Sequence, residues 1–319
     1  MSKLQIASSP HLKGRKTTQM IMADVLIALS PSVVASVVFF GYKSLLLVAF
    51  CTLSCVLLEY ICRKIMKRNN TISDLSAAVT GVLLALTLPP DIPLHLTLVG
   101  SVAAIVVVKQ MFGGLGNNFV NPALVGRIVM LVSFAGVENA SGQNVGMTGF
   151  RDTVFHDAVT GATPLSPLYS GEVSYLDLLF GNIGGCIGET CKIAILLGFV
   201  YLLVRRVISP LIPVCYVGTV ALFTLAVGED PLFAILSGGL LFGAVFMATD
   251  YVTTPTNPIG MLIFAVGCGL ITVLIRLYAN MDEGVSYAIV LMNIMVPLLD
   301  RIPFRPTFGR KNKKGGKTV

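Results

Sequence analysis

Across 319 residues, 55% are apolar and only 12% are Asp, Glu, Lys or Arg, giving a mean hydropathy of +0.83. Soluble domains carry about twice that share of charge, so the solvent for most of this chain is a lipid bilayer. The net charge of +7 does not indicate nucleic acid, because the basic residues sit beside apolar runs and not along one amphipathic face. Absent heptads, solenoid periods and long polar tracts exclude coiled-coil, repeat-array and disordered readings.

Residues 1–20 carry Lys3, Lys13, Arg15 and Lys16 without an acid, and this segment reads as a cytoplasmic basic terminus. The apolar run that follows is longer than a signal-peptide core, lacks a small-residue exit and continues into a second, so it reads as a retained helix. A ruler of about twenty apolar residues per crossing gives spans at 21–41, 44–62, 75–90, 92–109 and 117–135. These make a first half, 21–135. A polar stretch, 136–175, separates it from spans at 176–204, 210–227, 232–250, 256–277 and 285–300, which make a second half, 176–300. Residues 301–319 hold seven Lys or Arg and no acid, a second cytoplasmic tail.

With the termini inside, the inner segments hold Arg63, Lys64, Lys67, Arg68, Lys109, Arg205 and Arg206, against little beyond Lys43 and Arg151 outside. The 136–175 loop then falls on the external face. Proline and asparagine interrupt several spans: Pro89 and Pro90, Asn117 to Pro122, and Pro255 to Pro258. Breaks of this kind free backbone groups that only protein, ligand or water can satisfy at membrane depth, and paired breaks mark inverted repeats. The expected fold is an all-α polytopic membrane protein of about ten transmembrane helices in two inverted five-helix repeats. Residues 75–90 and 236–258 are the matched interrupted segments.

The seven cysteines form no C-x-x-C pair and read as small core residues, with Cys186 beside Gly185 held open. His95 and His156 lack partners spaced for a metal, so no metal ligand is assigned. No residue is assigned a catalytic role. Neither a dinucleotide fingerprint nor a P-loop is present.

The external loop contains Asp157-Ala158-Val159-Thr160-Gly161-Ala162-Thr163-Pro164. Small neighbours leave the Thr163 hydroxyl open to a bulky donor, and Pro164 favours an extended backbone there; a capped Thr-Gly turn is the bland alternative. Asp157, Ala158, Thr160, Gly161, Ala162 and Thr163 resemble the D-(A/G)-x-(S/T)-G-A-(S/T) signature at which a flavin transferase esterifies FMN through its phosphate. Such a coincidence would arise in on the order of one in a few thousand chains of this length.

That motif, Ser9-Pro10-His11, the run from Ser76 to Gly81 through Leu88-Pro89-Pro90, Asn117 to Ala123 and Thr163-Pro164-Leu165 together resemble the RnfD family of Rnf electron-transport complexes. That family is similar to a membrane component of the sodium-pumping NADH:quinone reductase, whose long amino-terminal extension is missing here. The resemblance implies a ten-helix flavoprotein subunit in a bacterial or archaeal cytoplasmic (inner) membrane, with FMN held covalently at Thr163 on the external loop. It also implies a second, noncovalent flavin such as riboflavin. The implied partners are the other Rnf subunits, a flavin transferase and membrane lipid. The implied work is electron transfer between ferredoxin and NAD, coupled to Na+ or H+ transport.

Among ionisable residues at membrane depth, Glu189 and Lys192 are expected on one face of the sixth span and Arg127 inside the fifth, as candidates for an ion path or a flavin contact. A self-neutralising Glu189–Lys192 pair, with Arg127 anchoring a helix end, is the structural alternative. Asp24, Glu59 and Asp250 are expected at the interface. A solute channel or secondary transporter is the competing function, since broken helices serve it equally well; a scaffold for partner subunits is a third.

Overall fold

The computed structural model describes residues 17–137, 147, 174–279 and 284–302, and these are helical with no strand among them. Helices α1 (Thr18–Phe40) and α2 (Tyr42–Ile65) form a hairpin about Gly41, whose φ of +78° suits glycine. Both are long and apolar enough to cross a membrane, as is α11 (Pro258–Tyr278). The remaining helices are shorter: α3 (Ser76–Leu86), α4 (Leu94–Val102, continuing as a π-helical stretch Ala103–Gln110), α5 (Pro122–Ser133), α6 (Tyr175–Phe180), α7 (Lys192–Val204), α8 (Leu211–Val227), α9 (Pro231–Leu236), α10 (Leu240–Phe242, continuing as a π-helical stretch Gly243–Met247) and α12 (Val285–Leu299).

Helix starts follow the local chemistry. Asn121 accepts from the Ala123 amide before Pro122, Asp230 caps α9 before Pro231, and Asn257 caps α11 before Pro258. Two groups of helices result. In the first, α2 packs on α3 and α4, and α4 on α5; in the second, α11 packs on α8 and α12, and α8 on α9. They are joined where α1 meets α7 and α5 meets α12. The main apolar core, including Leu29, Leu84, Leu124, Ile195, Tyr216 and Phe264, runs through both groups, with a small satellite of Cys55, Ala77 and Ile105. The outward faces of α2, α8 and α11 keep large apolar side chains such as Leu53, Leu57, Leu222 and Leu262 exposed, the arrangement lipid requires.

Two expected spans are not continuous helices. The span expected at 176–204 is helical only at α6 and α7; residues 181–191 between them are irregular yet largely buried. Four glycines at 181, 184, 185 and 188 explain the break, since each disfavours helix by about 1 kcal/mol relative to Ala. The freed backbone is satisfied by the broken end of α3: the Ile187 amide donates to the Leu88 carbonyl at 3.1 Å and the Gly188 amide to the Leu86 carbonyl at 2.8 Å. A Cβ at Gly188 would lie 2.5 Å from the Leu86 Cβ, so only glycine permits this crossing. The span expected at 232–250 is likewise split, at residues 237–239 between α9 and α10.

Candidate functional site

The irregular segment 181–191, the break at 237–239 and helices α5, α7 and α11 bring Arg127, Glu189, Lys192 and Arg276 together in the interior. Arg127 Nη1 pairs with Glu189 Oε1, both residues only 3% exposed. Arg127 Nη2 also points at Cys186 Sγ, 3.6 Å away. Lys192, the first residue of α7, donates to the Glu189 backbone carbonyl and, at 2.8 Å, to that of Gly238. Arg276 donates to the carbonyls of Ala234 at 2.7 Å and Ser237 at 3.3 Å. Lys192 and Arg276 therefore supply the donors that the interrupted α9–α10 backbone lacks.

This corrects the expected geometry. Glu189 and Lys192 do not share a helical face, because Glu189 precedes the helix; Lys192 binds the main-chain oxygen of Glu189, while Arg127 on α5 holds the carboxylate. The second carboxylate oxygen, Oε2, has no hydrogen-bond partner among the described residues, nor have the buried hydroxyls of Thr190 and Ser237. A Cβ at Gly239 would stand 2.5 Å from Glu189 Oε1, which fixes the carboxylate against the second break. Arg276 escaped the sequence reading; its position inside the apolar run that forms α11 was the available signal.

A second buried pair lies elsewhere. Glu59 of α2 is fully buried and pairs with Lys109, in the π-helical stretch of α4, at 2.7 Å. Lys109 also donates to Ser76 Oγ at 2.6 Å, and Thr71 donates to the other Glu59 oxygen at 2.8 Å. Glu59, expected near the interface, is enclosed by protein: fifty residues separate it in sequence from the lysine that makes its burial tolerable. Asp24 is also buried, with Arg205 at 3.2 Å and Tyr201 at 3.1 Å.

Lys109 lines an open cleft between α1, α3, the end of α7 and both π-helical stretches. Val25, Leu83, Val245 and Phe246 supply apolar walls, and Asn118, Asn121 and Asp250 add polar groups. The Asn121 side chain donates across it to the Met247 carbonyl at 3.2 Å, joining the two helix groups. His95 is exposed, five of the seven cysteines are buried, and no group of three His, Cys, Asp or Glu able to hold a metal occurs among the described residues. Asp157, Thr160, Gly161, Ala162, Thr163 and His156 lie outside the described residues.

Buried charges and broken helices within a bilayer-soluble core agree with the motif-based resemblance, and the comparisons decide it. Residues 5–309 match the family described as NQR2, RnfD, RnfE. The chain belongs to that family. It is 45% identical, over 98% of both chains, to the D subunit of the Na(+)-translocating ferredoxin:NAD(+) oxidoreductase complex of Acetobacterium woodii. It is 39% identical, over 96% of both, to the D subunit of the proton-translocating ferredoxin:NAD(+) oxidoreductase complex of Clostridium ljungdahlii. To the D subunit of the ion-translocating oxidoreductase complex of Stutzerimonas stutzeri it is 37% identical over 94% of both. Membership and the apolar helices together make this a membrane protein.

Proposed function

We propose that this chain is the membrane flavoprotein subunit of an ion-translocating ferredoxin:NAD+ oxidoreductase complex. In this reading it passes electrons through FMN esterified to Thr163 on an external loop, with Asp157, Thr160, Gly161 and Ala162 forming the sequence read by the flavin transferase. The carrying observation is that motif, within a chain matching its ferredoxin:NAD(+) oxidoreductase relatives over nearly its whole length. A flavin accepts one or two electrons, which suits a relay between carriers of different type.

The second, noncovalent flavin is assigned to the cleft beside Lys109. The reading rests on the apolar walls of Val25, Leu83 and Phe246 and the polar groups of Lys109 and Asn118; with a cavity volume of about 80 Å³ the cleft must widen to admit a flavin ring. Lys109, tethered by Glu59 and Ser76, would hold its charge at a fixed place there.

The two helix groups are read as inverted halves. Each contains a π-helical stretch followed by an Asn-Pro helix start, at Asn121-Pro122 and Asn257-Pro258. Glu189 is assigned to the ion route because its carboxylate is buried, one oxygen lacks a partner among the described residues, and both interrupted segments meet there. Relatives named for Na+ and for protons both match, so the reading covers either ion.

The test is expression with a flavin transferase in cells that export the loop, followed by denaturing electrophoresis. A fluorescent band is expected from the native chain and none from Thr163→Ala; fluorescence surviving Thr163→Ala removes the site.

A further inference from the structure

Arg63, in the last turn of α2, is 9% exposed, and its guanidinium makes no hydrogen bond or ion pair among the described residues; Nε is wholly buried without a partner. Spacing offers Glu59, one turn earlier, as its natural mate. That carboxylate is already taken by Lys109 on one oxygen and Thr71 on the other.

The guanidinium lies instead on the glycine-rich connection from α4 to α5. A Cβ at Gly114 would sit 2.1 Å from Arg63 Nη2, and the φ of +97° there also favours glycine, so the loop is shaped to receive this side chain. Gln110, which opens the loop, is fully buried with neither amide atom partnered among the described residues. Exposed Lys64, Lys67 and Arg68 follow Arg63. Exposed Ile65, Met111, Phe112 and Phe119 provide an apolar border at the helix end.

Nε of this guanidinium is buried without a partner, and an anion on its open Nη edge would complete the group. We propose that Arg63, with the α4–α5 loop and the neighbouring basic residues, forms a binding site for a phosphate group. The group would be the headgroup phosphate of an anionic phospholipid or free phosphate, and the site stands or falls independently of the flavin assignment. Arginine's planar fork suits phosphate oxygens, and basic residues at an apolar helix end suit a headgroup.

The full chain in neutral detergent is titrated with phosphatidylglycerol, phosphatidylcholine or inorganic phosphate, following thermal unfolding and lipid retention by native mass spectrometry. A rise in unfolding temperature with phosphatidylglycerol and not phosphatidylcholine assigns the lipid; a rise with inorganic phosphate assigns the free ion. Arg63→Met should weaken either effect by about tenfold, and Arg63→Lys, which keeps charge but loses the fork, by a smaller factor of about three to five. Should Arg63→Met fail to fold, Arg63→Lys decides. Absence of any effect on the native chain, or an undiminished one in the variant that decides, overturns the site.

Discussion

The buried carboxylates of Glu59 and Glu189 solve the same problem differently. Glu59 sits on a continuous helix with both oxygens partnered, by Lys109 and Thr71, and its lysine is further held by Ser76. Glu189 sits on irregular backbone; one oxygen meets Arg127, and the other has no partner among the described residues. The two cations nearest the second break, Lys192 and Arg276, are committed to carbonyls. A closed network holds structure in place, whereas an open one leaves a charged group able to exchange partners. On the proposed reading, the difference separates a structural ion pair from a group in the ion route.

The comparison breaks most visibly at Glu59. Lys109→Met strands a fully buried carboxylate and should cost about 3–5 kcal/mol, read as a fall in thermal unfolding temperature in detergent, while Glu59→Gln/Lys109→Met should recover most of it. Equal losses in the single and double variants would show that the pair is not the source of the cost.

Next in size is the crossing of broken segments. Gly188→Ala forces a methyl onto Leu86 and should cost about 1–3 kcal/mol, measured in the same way, with parent-like stability as the contradicting result. Lys192→Met leaves the Glu189 and Gly238 carbonyls without their donor, at a similar cost of about 1–3 kcal/mol. Glu189→Gln keeps an oxygen acceptor but removes the counter-charge of the buried Arg127, so it should cost about 1–3 kcal/mol and impair ion transport by the reconstituted complex. Unchanged transport would move Glu189 into the same structural class as Glu59.

The smallest effect belongs to an exposed pair joining α6 to the start of α9. The Tyr175 hydroxyl donates to Asp230, and this hydrogen bond holds the Asp230 carboxyl below its ordinary value while pushing the Tyr175 phenol up. A carboxyl lowered on folding contributes stability at pH above its unfolded value and loses it as pH falls through the folded one. Tyr175→Phe should therefore flatten a slight acid-side decline in unfolding temperature; an unaltered pH profile would show that the bond contributes nothing.

Much of the membrane character was legible from hydropathy; Asn121-Pro122 and Asn257-Pro258 were read as breaks in apolar runs, and their role as caps followed by N1 prolines came with the structure. The interior of the second group was less so. An apolar window across 176–204 masks the four-glycine break, and the partners of Glu189 are distributed over α5 and the two interrupted segments. Glu59 and Lys109 were separately visible, but pairing across fifty residues depends on how α2 and α4 pack. Arg63 was read as a topological charge, and only its burial distinguishes it from Lys64 and Arg68.

The claim on which the redox account rests is tested most directly by peptide mass spectrometry of the chain purified from its native membrane complex. The peptide spanning Asp157 to Pro164 is expected to carry an FMN-sized addition localised to Thr163. An unmodified peptide would contradict the account and leave a membrane subunit of this family without a covalent flavin at Thr163.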